Sequence, residues 1–122
     1  MVESALIITD KSPVGKNSAV EAIRIGSGFV ALGEYIECKV VFTGDAVYLL
    51  SKEAAPQLIG MDTLDEVFEM ADLSDLELYI VDSALVDAGL SKDELIEYEN
   101  LKIISVEDLV DLIDTVDISF RF

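Results

Sequence analysis

The chain opens on an unbroken apolar run, Ala5-Leu6-Ile7-Ile8-Thr9, that ends in Asp10. A strand with one wet face alternates apolar and polar residues, so a run without alternation predicts a strand buried on both faces. A second buried strand is expected at Ile36–Thr43 and a third strand at Leu78–Val81, with shorter strands expected at Lys102–Ile104 and Ile118–Phe122. Between these runs lie helix-start signals. Ser18-Ala19-Val20-Glu21, Thr63-Leu64-Asp65-Glu66, Ser91-Lys92-Asp93-Glu94 and Ser105-Val106-Glu107-Asp108 each place a hydroxyl three residues before an acid, the spacing of a capping box. The first helix is expected to reach about Leu32 and stop at Gly33, the second to reach about Asp72. Short helical segments are expected over Ala46–Lys52 and Asp82–Ala88, the latter closed by Gly89. Strand and helix thus alternate from end to end. That order predicts a three-layer α/β/α domain, with helices on both faces of a mostly parallel sheet of about five strands.

No repeat, linker or low-complexity tract interrupts the alternation, and 122 residues fit one domain, residues 1–122. In such sheets ligands sit outside the carboxyl ends of the strands. The rule selects Asp10, Lys11 and Ser12 after the first strand, Gly44, Asp45 and Tyr48 after the second, and Val81, Asp82 and Ser83 after the third.

Charge excludes one class of function. The chain carries 25 acids and 8 bases, net −17, and residues 61–122 hold 18 of the acids with 3 bases. Nucleic acid is held by a basic face, which is missing, so no direct binding of RNA or DNA is expected. The negative field favours a basic protein partner, or serves only to keep the chain soluble. No apolar run approaches about 18 residues and the start lacks a basic leader, so neither a membrane span nor a signal segment is expected. With one cysteine and no disulfide framework, the expected compartment is the cytoplasm.

The first helix carries two apolar stripes. Ala19, Ile23, Gly26 and Val30 make one, and Ala22, Ile25, Phe29 and Leu32 make the other. Covering a sheet face needs one. The second needs a further cover, either another subunit or neighbouring elements of the same chain.

The chemistry-bearing motifs are sparse. Gly15-Lys16-Asn17-Ser18 looks like the end of a phosphate-binding loop, but its leading glycine is missing and Asn17 stands where Ser or Thr should follow the lysine. No GxGxxG occurs, so no dinucleotide cofactor is expected. Histidine is absent, which with one cysteine removes a structural zinc site. The acidic stretch Asp72–Glu77 lacks calcium-loop spacing, so no metal is expected. Cys38 is the only sulfur nucleophile. It sits near the start of the second strand, at the amino end of the sheet, and is expected to be a packed thiol. The alternative is a reactive thiol serving as a sulfurtransferase nucleophile.

Several segments resemble the DsrE/DsrF-like sulfur-relay family, in particular its DsrF/TusC branch. Lys11-Ser12-Pro13-Val14-Gly15 with Glu21-Ala22 is similar to the first loop and helix of that branch. Gly44-Asp45-Ala46-Val47-Tyr48 resembles its Gly-Asp-Gly-Val segment, with Ala46 in place of the second glycine. Ser83-Ala84-Leu85 with Gly89-Leu90 resembles its turn after the third strand, and Ile118–Phe122 its last strand. The resemblance implies a part in persulfide relay, toward tRNA thiolation or dissimilatory sulfur metabolism. It also implies a trimer or hexamer, either of one chain or with cysteine-bearing DsrE/TusD-like and DsrH/TusB-like chains. The sulfur-carrying cysteine of the DsrE/TusD-like partner maps to about Val81, which cannot form a thiolate. The expectation is therefore a subunit with no catalytic residue of its own. The alternatives are a stand-alone small-ligand binder on the same fold or an enzyme using Cys38.

Overall fold

The structure, a computed structural model, describes residues 3–11, 18–31, 37–51 and 64–121. Ser12, the remainder of the Lys11–Lys16 loop, the helix stop at Gly33 and the loop with Pro56 and Gly60 lie outside them. So do the side chains of the capping boxes at Ser18 and Thr63.

Five strands form one sheet: β1 (Ser4–Thr9), β2 (Glu37–Phe42), β3 (Glu77–Val81), β4 (Leu101–Ile104) and β5 (Ile118–Arg121). Their order is β4-β3-β2-β1-β5, and every neighbouring pair is parallel. The α-helices are α1 (Ser18–Ala31), α2 (Leu64–Leu73), α3 (Asp82–Ala88) and α4 (Val106–Thr115). The segment after β2 is a 3₁₀ helix, Gly44–Leu50, starting two residues before the expected turn. The chain steps outward from β1 to β4, then returns across the sheet to place β5 beside β1. Right-handed crossovers put α4 on the face opposite α1 and α2.

The register shows which residues share a face. Ile7 lies beside Val40 and Val40 beside Leu78, and this row packs under α1. Leu6, Val41, Tyr79 and Val81 point to the other face of the sheet. The central three strands are closed on both faces: Leu6, Ile7, Val40, Val41, Leu78 and Ile80 are all fully buried. Each such side chain contributes roughly 1.5–3 kcal/mol relative to exposure, which explains the unbroken apolar runs. The edge strands are less enclosed, and Lys102, Ile103, Ile118 and Ser119 are exposed.

Helix α1 is the most deeply seated. Ala19, Ala22, Ile23, Gly26 and Ser27 are buried. A Cβ on Gly26 would stand 2.9 Å from Val40 Cγ2 and 3.2 Å from both Leu76 methyls. The glycine lets the helix lie close on its own sheet. Part of the second stripe is covered within the chain, and Leu32 lies outside the described residues. Ala22 is buried and Phe29 stacks on Phe120 of β5 with ring centroids 6.2 Å apart, while Ile25 stays partly exposed.

Helix α4 sits more lightly. Leu109, Leu112 and Val116 pack on the core and none of its residues is buried. Its start follows the sequence: the Asp108 N–H donates to Ser105 Oγ at 3.1 Å and the Ser105 N–H donates to the Asp108 carboxylate at 3.3 Å. Just past its end, Asp117 accepts from the backbone N–H groups of Glu3 and Ser4, tying the entry of β1 to β5. No helix among the described residues is long and apolar enough to cross a membrane.

Candidate functional site

The loops after β1 and β2 meet at the carboxyl edge through backbone. The Thr43 N–H donates to the Thr9 carbonyl at 3.0 Å. The next residue, Gly44, has φ +53°, and a Cβ there would lie 2.9 Å from the Asp10 carbonyl oxygen. Only glycine suits both demands: the left-handed backbone and the contact with a neighbouring main chain.

Asp10 is half-buried and is held by Arg121 at the end of β5. The guanidinium reaches one carboxylate oxygen through Nε at 2.9 Å and again through Nη2. Sequence reasoning did not place Arg121 here, since the pair spans 111 residues and depends on β5 returning beside β1. Lys11 is exposed and makes no ion pair among the described residues. Thr9 was also missed as a candidate. Its hydroxyl is fully buried at the carboxyl end of β1 with no hydrogen-bond partner among the described residues, and nothing in an apolar run marks one threonine in this way.

Asp45 is exposed in the first turn of the 3₁₀ helix, whose N-cap is Thr43. Tyr48 donates its hydroxyl to the Ala88 carbonyl at 3.3 Å, tying the 3₁₀ helix to the end of α3. Val81 is 2% exposed and serves as both the last residue of β3 and the N-cap of α3. Strand runs into helix with no intervening loop. Asp82 is exposed and accepts from the Ser83 N–H at 2.7 Å. Ser83 is exposed as well. Among the described residues no hydrogen bond or ion pair joins Asp82 or Ser83 to Asp10 or Asp45. Polar and backbone contacts gather Asp10, Gly44 and Arg121 around β1, while Val81, Asp82 and Ser83 stand at the end of β3.

Cys38 lies at the other end of the sheet, beside Ala5 near the start of β2. It is 5% exposed, and its Sγ lies 4.0 Å from the Lys39 carbonyl. Burial pushes the thiol up to about 11, because removing water penalises the thiolate. Lys39 points to the opposite face and pairs with Glu77 at 3.8 Å, so its charge does not offset the burial. Glu77 also accepts the Tyr79 hydroxyl at 3.0 Å. No cluster of three or more metal-ligating side chains occurs among the described residues.

The family model described as the DsrE/DsrF-like family matches residues 3–122. The chain belongs to the DsrE/DsrF-like family. Among solved structures it is similar to the YchN protein of E. coli, with a TM-score of 0.80 at 15% identity over 98% of this chain and 99% of that one. It is also similar to the MTH1491 protein of Methanobacterium thermoautotrophicum, with a TM-score of 0.72 at 14% identity and the same coverage. At these identities the likeness concerns the fold: both share the β/α arrangement described above. No curated protein matches. Membership in this DsrE/DsrF-like family suggests a role related to sulfur relay in the broad sense.

Proposed function

We propose that this chain is a non-catalytic subunit of the DsrF/TusC kind, acting in cytoplasmic persulfide relay within an oligomer that includes a cysteine-bearing relative. The observation that carries the reading is the end of β3. Val81 is buried there as the cap of α3. A valine offers neither a thiolate nor a persulfide, and the nearest polar groups, Asp82 and Ser83, have no base beside them among the described residues.

Cys38 does not supply the missing sulfur. It sits at the amino end of the sheet, buried, with a thiol that stays protonated near neutral pH. Sulfur transfer needs the thiolate. The chain's contribution is then to complete a neighbour's pocket with the loops after β1 and β2, where Asp10 and Arg121 fix the geometry and Lys11 offers a cation. Lys11, Asp45 and Tyr48 are the residues a small polar ligand would meet at this edge.

Two measurements test the reading. Intact-mass analysis after incubation with polysulfide is expected to show the chain unmodified; a one-sulfur adduct on native Cys38 would instead support an independent sulfurtransferase. Purification from the native cell is expected to bring a cysteine-bearing family member in the same complex. A strict monomer at micromolar concentration, alone and in extract, would sink the proposal.

A further inference from the structure

Helix α4 carries two parallel ribbons that its own chain does not use. Val106, Val110 and Ile113 are 50%, 51% and 40% exposed. They recur at the spacing of one helix face, beside the Leu109, Leu112 and Val116 face that packs on the core. Each is followed by an acid: Glu107, Asp111 and Asp114. These three form a second line along the helix, about 10 Å long. None of them pairs with a base among the described residues.

Beyond Glu107, whose place in the first turn suits the helix dipole, the acidic line works against the helix that bears it. Like charges three and four residues apart repel on a helix surface. Asp114 stands in the last turn, where a cation would be favoured and where α4 has none. The exposed halves of the valines and isoleucine add nothing to the fold while they face water. An external surface with apolar groups to cover the first ribbon and cations to meet the second would offset both costs. A second copy of this chain fits poorly, because each brings net charge −17 and its own acidic ribbon.

We propose that the exposed flank of α4 is a docking face for another protein, one that presents an apolar ridge bordered by lysine or arginine. This does not rest on the sulfur-relay reading and concerns a different surface from the carboxyl-edge site.

The test uses the full chain and two synthetic amphipathic helical peptides. Both carry leucines along one face; one is flanked by lysines and the other by glutamates. Fluorescence anisotropy is expected to show binding of the lysine peptide only, weakening with salt. Val110→Ser is expected to weaken it about tenfold, the equivalent of one lost apolar side chain. The triple variant E107Q/D111N/D114N is expected to weaken it and flatten its salt dependence. Leu73→Ser, at an 80% exposed apolar position on α2, is expected to leave it unchanged, with circular dichroism confirming that all variants fold. Equal binding of both peptides, no loss with Val110→Ser, or an equal loss with Leu73→Ser would overturn the proposal. So would a homo-oligomer that Val110→Ser dissociates, since the occupant would then be a second copy.

Discussion

Gly26, Gly28 and Gly44 pose three different physical problems, and alanine separates them. At Gly44 an alanine meets both a left-handed φ and the Asp10 carbonyl at 2.9 Å. Gly44→Ala is expected to destabilise the fold by about 2 kcal/mol. At Gly26 the backbone is ordinary helix, but the added methyl meets Val40 inside a closed core; overpacking of this kind costs about 1–3 kcal/mol. At Gly28 nothing lies within 4 Å, so alanine gains helix propensity, and Gly28→Ala is expected to stabilise by about 0.5–1 kcal/mol. Urea unfolding of the three variants checks the order. A destabilised Gly28→Ala would show that this side of α1 is covered by something outside the chain. Cys38 poses a titration problem. Its proton is bound more tightly in the folded chain, at about 11, than at the ordinary 9.0. Its contribution to stability is therefore complete below pH 9 and is lost as pH rises from 9 toward 11. Native protein is expected to resist iodoacetamide at pH 8 and to react once urea unfolds it. Equal rates in the two conditions would contradict a buried thiol.

At the scale of the element, α4 is the helix whose stability depends most on its own ends, because packing supports it least. Removing the Ser105 hydroxyl orphans the Asp108 N–H, and Ser105→Ala is expected to cost about 1 kcal/mol, read as a lower thermal midpoint. Hydrogen exchange should show α4 opening before α1; equal protection of the two helices would mean that α4 is better covered than its contacts imply. The Ser105–Asp108 box was legible in the sequence because it is local, as were β1 and β3, where burial on both faces leaves an almost unbroken apolar run; the exposed edge strands were marked only by their short β-favouring segments. Strand order was not legible. Nothing in Ile118–Phe122 says that β5 pairs with β1 rather than β4, and that choice brings Arg121 to Asp10. The close seat of Gly26 was likewise hidden, since a helical glycine reads the same whether a sheet or a subunit approaches it. At the site, the position of Val81 at the strand–helix junction could be anticipated. The Arg121–Asp10 pair and the tie from Tyr48 to the Ala88 carbonyl could not, because both join residues far apart in the sequence.

At the scale of the molecule, the acidic excess is the one property that burial of the core leaves unexplained. The interior is held by apolar burial, and the described ion pairs are few: Arg24 with Glu21, Lys39 with Glu77 and Arg121 with Asp10. All three involve at least partly exposed side chains, where an ion pair contributes little. Self-repulsion from a net charge of −17 therefore acts largely uncompensated on the isolated chain. At about 0.1 M ionic strength screening operates over roughly 10 Å, comparable with the spacing of the first and last acids of the α4 ribbon, Glu107 and Asp114. Raising sodium chloride from low ionic strength is thus expected to raise the thermal midpoint of the isolated chain, with most of the gain complete once the screening length falls below that spacing. The same salt is expected to weaken a complex with a basic partner, because there the acids are already neutralised by the partner's cations. Opposite salt responses in the free chain and the complex would assign the acidic excess to partner binding. A salt-independent midpoint for the free chain would instead mean that its acids lie too far apart to oppose folding, and the excess would then serve solubility alone.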